Sequence, residues 1–152
     1  GIRGRLTGSL TLTDNDALTT LHGLEGIDAV GFDTGGISLD IQGNSELRSI
    51  AALRIQGDLP GALVVWSNPE LESLQGVLGL RAAGTHVAWE GNDAVYILNN
   101  QNVCATPAEV ETLRTICQRS WEFGNGDVEN CAPDDVSGWW GAQCQGVYVC
   151  VV

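Results

Sequence analysis

Residues 10–21 read LTLTDNDALTTL, and the pattern in this stretch decides the fold. Apolar residues stand at its first, third, ninth and twelfth positions, and an asparagine stands at its sixth. The same frame recurs in residues 39–50, 63–74 and 87–98. Agreement of four copies at every defined position is far beyond chance. The chain is therefore predicted to be a repeat array.

The spacing within each copy predicts its local structure. The first and third positions are apolar, and the second can be any residue. This alternation is typical of a short strand with one buried face, because side chains alternate across a strand. The later apolar positions fall three residues apart, which fits a chain that turns corners and places one side chain inward at each bend. One such rung cannot be stable alone. Stacked rungs would pair their strands in parallel, about 4.8 Å apart, around a continuous core, which is a β-solenoid.

The recurring asparagine is predicted to be structural. Its amide both donates and accepts hydrogen bonds, so at the turn after each strand it can satisfy backbone groups of its own rung and of the adjacent rung. Unequal spacing of the copies predicts a bulging loop between Ala51 and Gly61, where the frame is lost for five residues. The predicted inner ladder consists of Asn15, Asn44, Asn68 and Asn92.

Residues between and just after the inward pair of each strand should point outward, and they are the candidate binding residues. Trp66 is the most prominent, because an exposed aromatic on a strand can anchor an interface. It could equally be covered by a neighbouring loop. Trp89 holds an inward position and is predicted to be core. The two outward rows are Thr11, Asp40, Val64 and Ala88, and Thr13, Gln42, Trp66 and Glu90.

Residues 8–27, GSLTLTDNDALTTLHGLEGI, followed by Val30 and Gly31, closely resemble a receptor L-domain repeat. Such domains occur in growth-factor receptor ectodomains and in surface proteins of microbes and algae. The resemblance covers about residues 4–103 and implies a right-handed solenoid of the leucine-rich-repeat type. It weakens in the fourth copy, where Asn99, Asn100 and Gln101 replace the expected apolar position.

From Cys104 onward the composition changes and the repeats stop. Thr106 and Pro107 read as a helix start, with threonine as the N-cap and proline in the first turn. A helix to about Arg119 would bury one apolar side. That side consists of Val110, Leu113, Ile116 and Cys117.

The remaining segment, with Trp121, residues 139–144 (WWGAQC) and residues 146–152 (GVYVCVV), resembles the N-terminal cap of plant-type leucine-rich repeats. The resemblance implies a small disulfide-stapled helical cap whose last strand opens a further repeat array. It divides the chain into a solenoid at 1–103 and a cysteine-rich cap at 104–152. The spacing departs from the family, because thirteen residues separate Cys131 from Cys144 and tandem tryptophans precede Gly141.

Five cysteines leave at least one thiol free or paired outside this sequence, and their connectivity stays open. In the family that the segment resembles, cysteines placed like Cys131 and Cys144 are paired. Cys104 and Cys117 bracket the expected helix. Cys150 is our choice for the unpaired residue or the one with an external partner. No Cys-x-x-Cys pair occurs, so spaced cysteines favour disulfides and a secreted or cell-surface protein over a zinc site.

The charge excludes some classes of partner. The formal net charge is −12, with seven basic residues, and the chain contains no lysine. A surface this negative repels nucleic acids and anionic lipid headgroups. No apolar run approaches the roughly 18 residues that span a bilayer, so no membrane contact is expected within this segment.

No catalytic constellation is evident, and we expect neither an enzyme nor a cofactor. His22 and His86 have no nucleophile or metal ligand at a suitable spacing. Asp40 and Glu90 would lie about 10 Å apart, two rungs away from each other, which makes glycoside hydrolysis remote. No metal site is predicted. Calcium is a weak possibility at two acidic loops, which are Asp14–Asp16 and the group Asp127, Glu129, Asp134 and Asp135.

These observations together predict an extracellular, non-enzymatic scaffold or assembly module that contacts other proteins or copies of itself. The alternative is a ligand-recognising segment of a receptor ectodomain. A transmembrane segment and a cytoplasmic domain in the full gene would favour the receptor. Further arrays and caps would favour a fibre or matrix protein.

Overall fold

A computed structural model describes residues 1–86, 95–105 and 107–122 of the chain. The described part holds eight short strands, one turn of 3₁₀ helix at Gln75–Val77 and one α-helix. The strands are β1 (Arg3–Arg5), β2 (Leu10–Thr13), β3 (Gly26–Ala29), β4 (Ile37–Gln42), β5 (Gly57–Asp58), β6 (Ala62–Trp66), β7 (Leu80–Ala82) and β8 (Val95–Leu98), and the helix is α1 (Pro107–Glu122).

The main sheet joins four parallel strands in the order β2, β4, β6, β8. Leu10, Leu39 and Leu63 stand in the same register, as the repeat frame requires. Leu39 and Leu63 have no solvent exposure, whereas Leu10 in the edge strand is half-buried. The frame therefore specifies the pairing of β2, β4 and β6 correctly.

The predicted fold class is nevertheless wrong. The described residues form three separate parallel sheets, because β1 pairs only with β3, and β5 pairs only with β7, outside the main sheet. These pairs are two to four residues long and contain glycine at positions 4, 26 and 57. The repeat frame has no positions for them, since it defines one strand per copy. The expected right-handed solenoid of leucine-rich-repeat type is thus replaced by a main sheet accompanied by two small ones.

The bulging loop expected between Ala51 and Gly61 is not observed. The segment between Ala51 and Gly61 carries β5 and buries Leu53, Ile55 and Leu59 in the core. The connection from β2 to β4 is longer than the connection from β4 to β6, and Asp33 makes a turn in it. Its Oδ1 accepts hydrogen bonds from the backbone N–H groups of Gly35 (2.9 Å) and Ile37 (3.0 Å).

The fourth strand of the main sheet uses a different register from the predicted fourth copy. Val95 pairs with Leu63 and Ile97 pairs with Val65, and both Val95 and Ile97 are buried. Residues 95–103 also fit the first nine positions of the frame, with Asn100 at the sixth and the buried Val103 at the ninth. Residues 87–94, which contain the predicted inward positions Val87 and Trp89, lie outside the described residues.

The helix prediction is confirmed. α1 runs from Pro107 to Glu122 and buries Val110, Leu113 and Ile116. The helix packs against β7, and these three side chains belong to the same apolar cluster as the strands of all three sheets. Within the described ranges no separate disulfide-stapled helical cap is evident, which is the second correction to the predicted fold. The physical reason is that the apolar face of α1 is already buried against the strands.

Candidate binding surface

Alternation along the main sheet creates two faces. Leu39 and Ile41 point into the core with no exposure, so Asp40 and Gln42 lie on the opposite side. We call this side the outer face. Its described members are Thr11, Thr13, Asp40, Gln42, Val64, Trp66 and Tyr96.

The outer face differs from the predicted rows at its β8 end. Ala88 and Glu90 lie outside the described residues. The register position beside Val64 belongs to Tyr96. Sequence reasoning missed Tyr96, although the second match of the repeat frame at residues 95–103 was a signal that could have found it.

Exposure on the outer face is uneven. Thr11 is exposed, and Thr13 and Gln42 are half-buried. Asp40 and Val64, in contrast, retain only 7% and 2% of their exposure, although they occupy outward positions. The accessible surface is therefore concentrated at the end of β6 and on the β2 side.

Trp66 is the main accessible apolar group of this face. It keeps 39% of its exposure, and among the described residues only Ile2 and Phe32 are comparable large apolar side chains on the surface. The indole lies against the ring of Tyr96, with centroids 6.2 Å apart and planes at 83°. Such edge-to-face pairs contribute about 0.5–1.5 kcal/mol beyond their area burial. The contact orients Trp66 while much of its surface stays open.

Asp40 is the most unusual polar group on the outer face. Its Oδ2 accepts a hydrogen bond of 3.1 Å from the Gln42 amide. Its Oδ1 is buried and has no hydrogen-bond partner among the described residues. Burial raises the pKa of this carboxyl, the Gln42 hydrogen bond opposes that change, and the nearby Asp33 carboxylate raises the pKa further.

An asparagine ladder runs along one end of the main sheet. Asn15 donates from its backbone N–H and its side-chain Nδ2 to Oδ1 of Asn44, at 3.1 and 3.2 Å. Asn44 makes the same pair of bonds to Asn68, and Asn68 makes them to Asn100. The position after Asn68 is thus occupied by Asn100. Asn92, the predicted fourth member, lies outside the described residues.

Each ladder amide also binds backbone carbonyls. Asn68 Nδ2 donates to the carbonyl of Trp66 in its own strand (3.1 Å) and to that of Ile41 in the preceding strand (3.0 Å). Asn44 and Asn100 repeat the contact to the preceding strand. The ladder therefore fixes the ends of the strands that carry Asp40 and Trp66.

The groups considered for catalysis or metal binding lie elsewhere on the surface. His22 and His86 are exposed, and His22 Nδ1 lies 2.7 Å from Glu25 Oε1. This contact lowers the pKa of Glu25 to about 2. In the acidic loop after β2, Asp16 Oδ1 accepts a hydrogen bond from the Ser45 hydroxyl. No three His, Cys, Asp or Glu side chains of the described ranges are grouped closely enough to hold a metal ion.

Three surface depressions of about 280 to 330 Å³ lie away from the outer face. Glu25 lines two of them, and Arg54 lines two. None of these three contains an outer-face residue. The three depressions therefore do not belong to the outer face, whose accessible part consists of Trp66 and the β2 side.

Cys104 forms a disulfide. The side chain of Cys117 and all of Cys131, Cys144 and Cys150 lie outside the described part, so the expected pairing stays a prediction. No helix among the described residues is long and apolar enough to span a bilayer.

Comparison with known proteins finds no matching family model, no matching curated protein and no matching solved structure. The likeness to receptor L-domains stays an expectation from the sequence.

Proposed function

We propose that the chain is a non-enzymatic scaffold module that binds other proteins through its outer face, in a secreted or cell-surface assembly. The observation that carries the proposal is the exposed Trp66, which is oriented by Tyr96 on a hydrogen-bonded strand pair. Tryptophan and tyrosine are enriched among the residues that dominate binding energy at protein interfaces.

Rigidity of the underlying strands supports the same proposal. The strand bearing Trp66 pairs with β4 on one side and β8 on the other, and Asn68 holds its end through side-chain hydrogen bonds. A contact residue on such a support loses little conformational freedom when a partner binds. Burial of the indole therefore contributes to the free energy of binding with little opposing loss of entropy.

The disulfide at Cys104 supports the proposed location. Structural disulfides form and persist mainly in oxidising compartments, which include the secretory pathway and the cell surface. The strongly acidic composition also favours protein partners over nucleic acids and anionic membranes.

Photo-crosslinking tests the proposal. A photoreactive phenylalanine derivative replaces Trp66 in one variant and Ile2 in a control, because Ile2 is also an exposed large apolar side chain but lies outside the main sheet. We expect a discrete protein adduct at position 66, either with another protein of the source material or with a second copy. Adducts at position 2 alone would contradict the proposal.

Sedimentation and quantitative pull-down complement the crosslinking. Trp66→Ala is expected to keep the fold and to weaken association by at least about tenfold, the effect of a binding hot spot. Ile2→Ala is expected to leave association unchanged. If the wild type and Trp66→Ala associate equally strongly, Trp66 does not contribute to binding.

A further inference from the structure

If the outer face binds a partner as proposed, its residues also restrict the chemistry of that partner. Asp40 lies near the middle of that face, between Thr11 and Val64 in the register. Trp66 stands two residues beyond Val64 on the same strand, which places it diagonally across from Asp40 at a distance that long side chains bridge.

One oxygen of the Asp40 carboxyl group lacks a hydrogen-bond donor among the described residues. The residue is more than nine-tenths buried, and its Oδ1 has no hydrogen-bond partner among the described residues. An unsatisfied buried charge destabilises a folded chain. A donor supplied from outside would remove that destabilisation and would gain a charge-assisted hydrogen bond.

Among the described residues, Gln42 is the side-chain donor to Asp40, and a stronger donor could replace it. Gln42 is half-buried and provides a single neutral amide hydrogen bond to Oδ2. A cationic donor forms a stronger bond to a carboxylate than an amide does. Displacement of the Gln42 side chain would free Oδ2 for such a donor, and a guanidinium group at that place would bridge Oδ2 and the unpartnered Oδ1.

The surroundings of Asp40 favour a positive charge. Asp33, in the turn ahead of β4, adds a second carboxylate, which also raises the pKa of Asp40. The aromatic pair of Trp66 and Tyr96 offers ring faces that attract cations. None of the described outer-face members is basic, and the whole chain has a net charge of −12 without any lysine.

We propose that the outer face binds a basic segment of a partner protein, with one arginine or lysine side chain of that segment bound to Asp40 and packed against Trp66. The carboxylate binds the cationic head, and the indole covers the aliphatic stem or the guanidinium plane. The exposed Trp66 supplies the apolar part of the contact, and Asp40 makes it selective for charge.

Selection from a random peptide library tests the idea with the full 152-residue chain. Peptides that bind the wild type are sorted by whether they still bind Trp66→Ala, Asp40→Asn and a control, Asp28→Asn. The control changes the net charge by the same amount on an exposed residue of β3, outside the main sheet. Circular dichroism and thermal melts verify that each variant is folded.

We expect the Trp66-dependent peptides to be enriched in arginine or lysine. Asp40→Asn should weaken a representative peptide by about thirtyfold or more, the usual effect of removing one partner of a buried charge pair, while Asp28→Asn should leave its affinity within about twofold, as for exposed charges. Replacement of the peptide's arginine by citrulline, or of its lysine by acetyl-lysine, should cause a similar loss.

The outcomes separate the two proposals. If no selected peptide depends on Trp66, the outer face is not the binding surface and the proposed function fails. If peptides depend on Trp66 but show no basic enrichment and bind Asp40→Asn as well as the wild type, the binding surface stands and the proposed cationic partner is wrong.

Discussion

At the scale of single residues, the buried polar side chains of Asp40 and Asn68 differ in how completely their hydrogen-bonding groups are satisfied. Asn68 makes hydrogen bonds with both its oxygen and its nitrogen inside the ladder. Asp40 has one oxygen engaged and the other without a partner in the described structure. The Asn68 amide is fully satisfied inside the fold, whereas burial raises the pKa of the Asp40 carboxyl.

The contribution of Asp40 to stability should depend on pH. Because its folded pKa is raised above the ordinary value of 3.8, its favourable contribution is fully present below that value and is lost as the pH rises through the folded pKa. Asp33 and Gln42 are the neighbouring groups that modify this titration.

We therefore expect Asp40→Asn to melt at a higher temperature than the wild type near neutral pH, and the difference to shrink as the pH falls towards 3.8. Thermal melts across that range measure it, with Asp28→Asn as a control for net charge. A constant difference at every pH would show that the Asp40 carboxyl does not titrate abnormally.

The second residue-scale prediction concerns the ladder. Asn68→Ala removes the donor to the carbonyl of Ile41 and the acceptor for Asn44, so buried backbone and side-chain groups lose partners. We expect a loss of about 3 kcal/mol in the free energy of unfolding, because each unsatisfied buried group costs about 1–3 kcal/mol. Trp66→Ala should cost less than Asn68→Ala.

Asn15→Ala is the matched control for Asn68→Ala. Asn15 stands at the β2 edge and is exposed, so water can replace its amide. Urea denaturation of the three variants measures the ranking. Equal losses for Asn15→Ala and Asn68→Ala would mean that the ladder contributes little through its buried members.

At the scale of elements, close backbone approach between successive turns sets a requirement for glycine. Gly76 lies in the 3₁₀ turn after the third copy and is buried. A Cβ at this position would overlap the carbonyl oxygen of Ile50, which holds the last apolar position of the second copy. The turns therefore pack backbone to backbone, which a side chain prevents.

Gly76→Ala is accordingly expected to destabilise the chain by about 1–3 kcal/mol, the usual cost of overpacking. Gly8→Ala is the control, because a Cβ there would meet no described atom within 4 Å. Chemical denaturation of both variants checks the prediction. A neutral Gly76→Ala would show that the 3₁₀ turn moves away from Ile50 without loss.

At the scale of the whole molecule, the apolar core is shared between the sheets and the helix. Leu113 of α1 is 1% exposed and belongs to the same cluster as Leu63 of β6 and Leu80 of β7. A shared core couples the stability of the elements that contribute to it. The helix should therefore unfold together with the strands.

Leu113→Ala is expected to lower the free energy of unfolding of the array by about 2–5 kcal/mol, as large-to-small core substitutions do. Hydrogen exchange followed by mass spectrometry tests the coupling, since peptides from α1 and β7 should lose protection together. Thr112→Ala is the control on a half-buried position of the same helix. Loss of protection in α1 alone would make residues from 104 onward an independent unit.

The repeat frame of the sequence was sufficient to predict the parallel register of β2, β4 and β6 and the ladder contacts of Asn15, Asn44 and Asn68. Both follow from local rules, because alternation determines which side chains face inward and one amide per turn can bind the next. The helix was predictable for the same reason, since the proline in its first turn and its apolar spacing are local features.

Only the tertiary structure decided between two overlapping matches of the frame, and it selected Asn100 as the residue bound to Asn68. The local pattern alone cannot distinguish the match at residues 87–98 from the match at residues 95–103. Which of them pairs with β6 depends on which segment reaches the edge of that strand. The same holds for the two small sheets and for the burial of Asp40. Strand pairing and burial are set by neighbours distant in sequence, and a pattern within one copy contains no information about them.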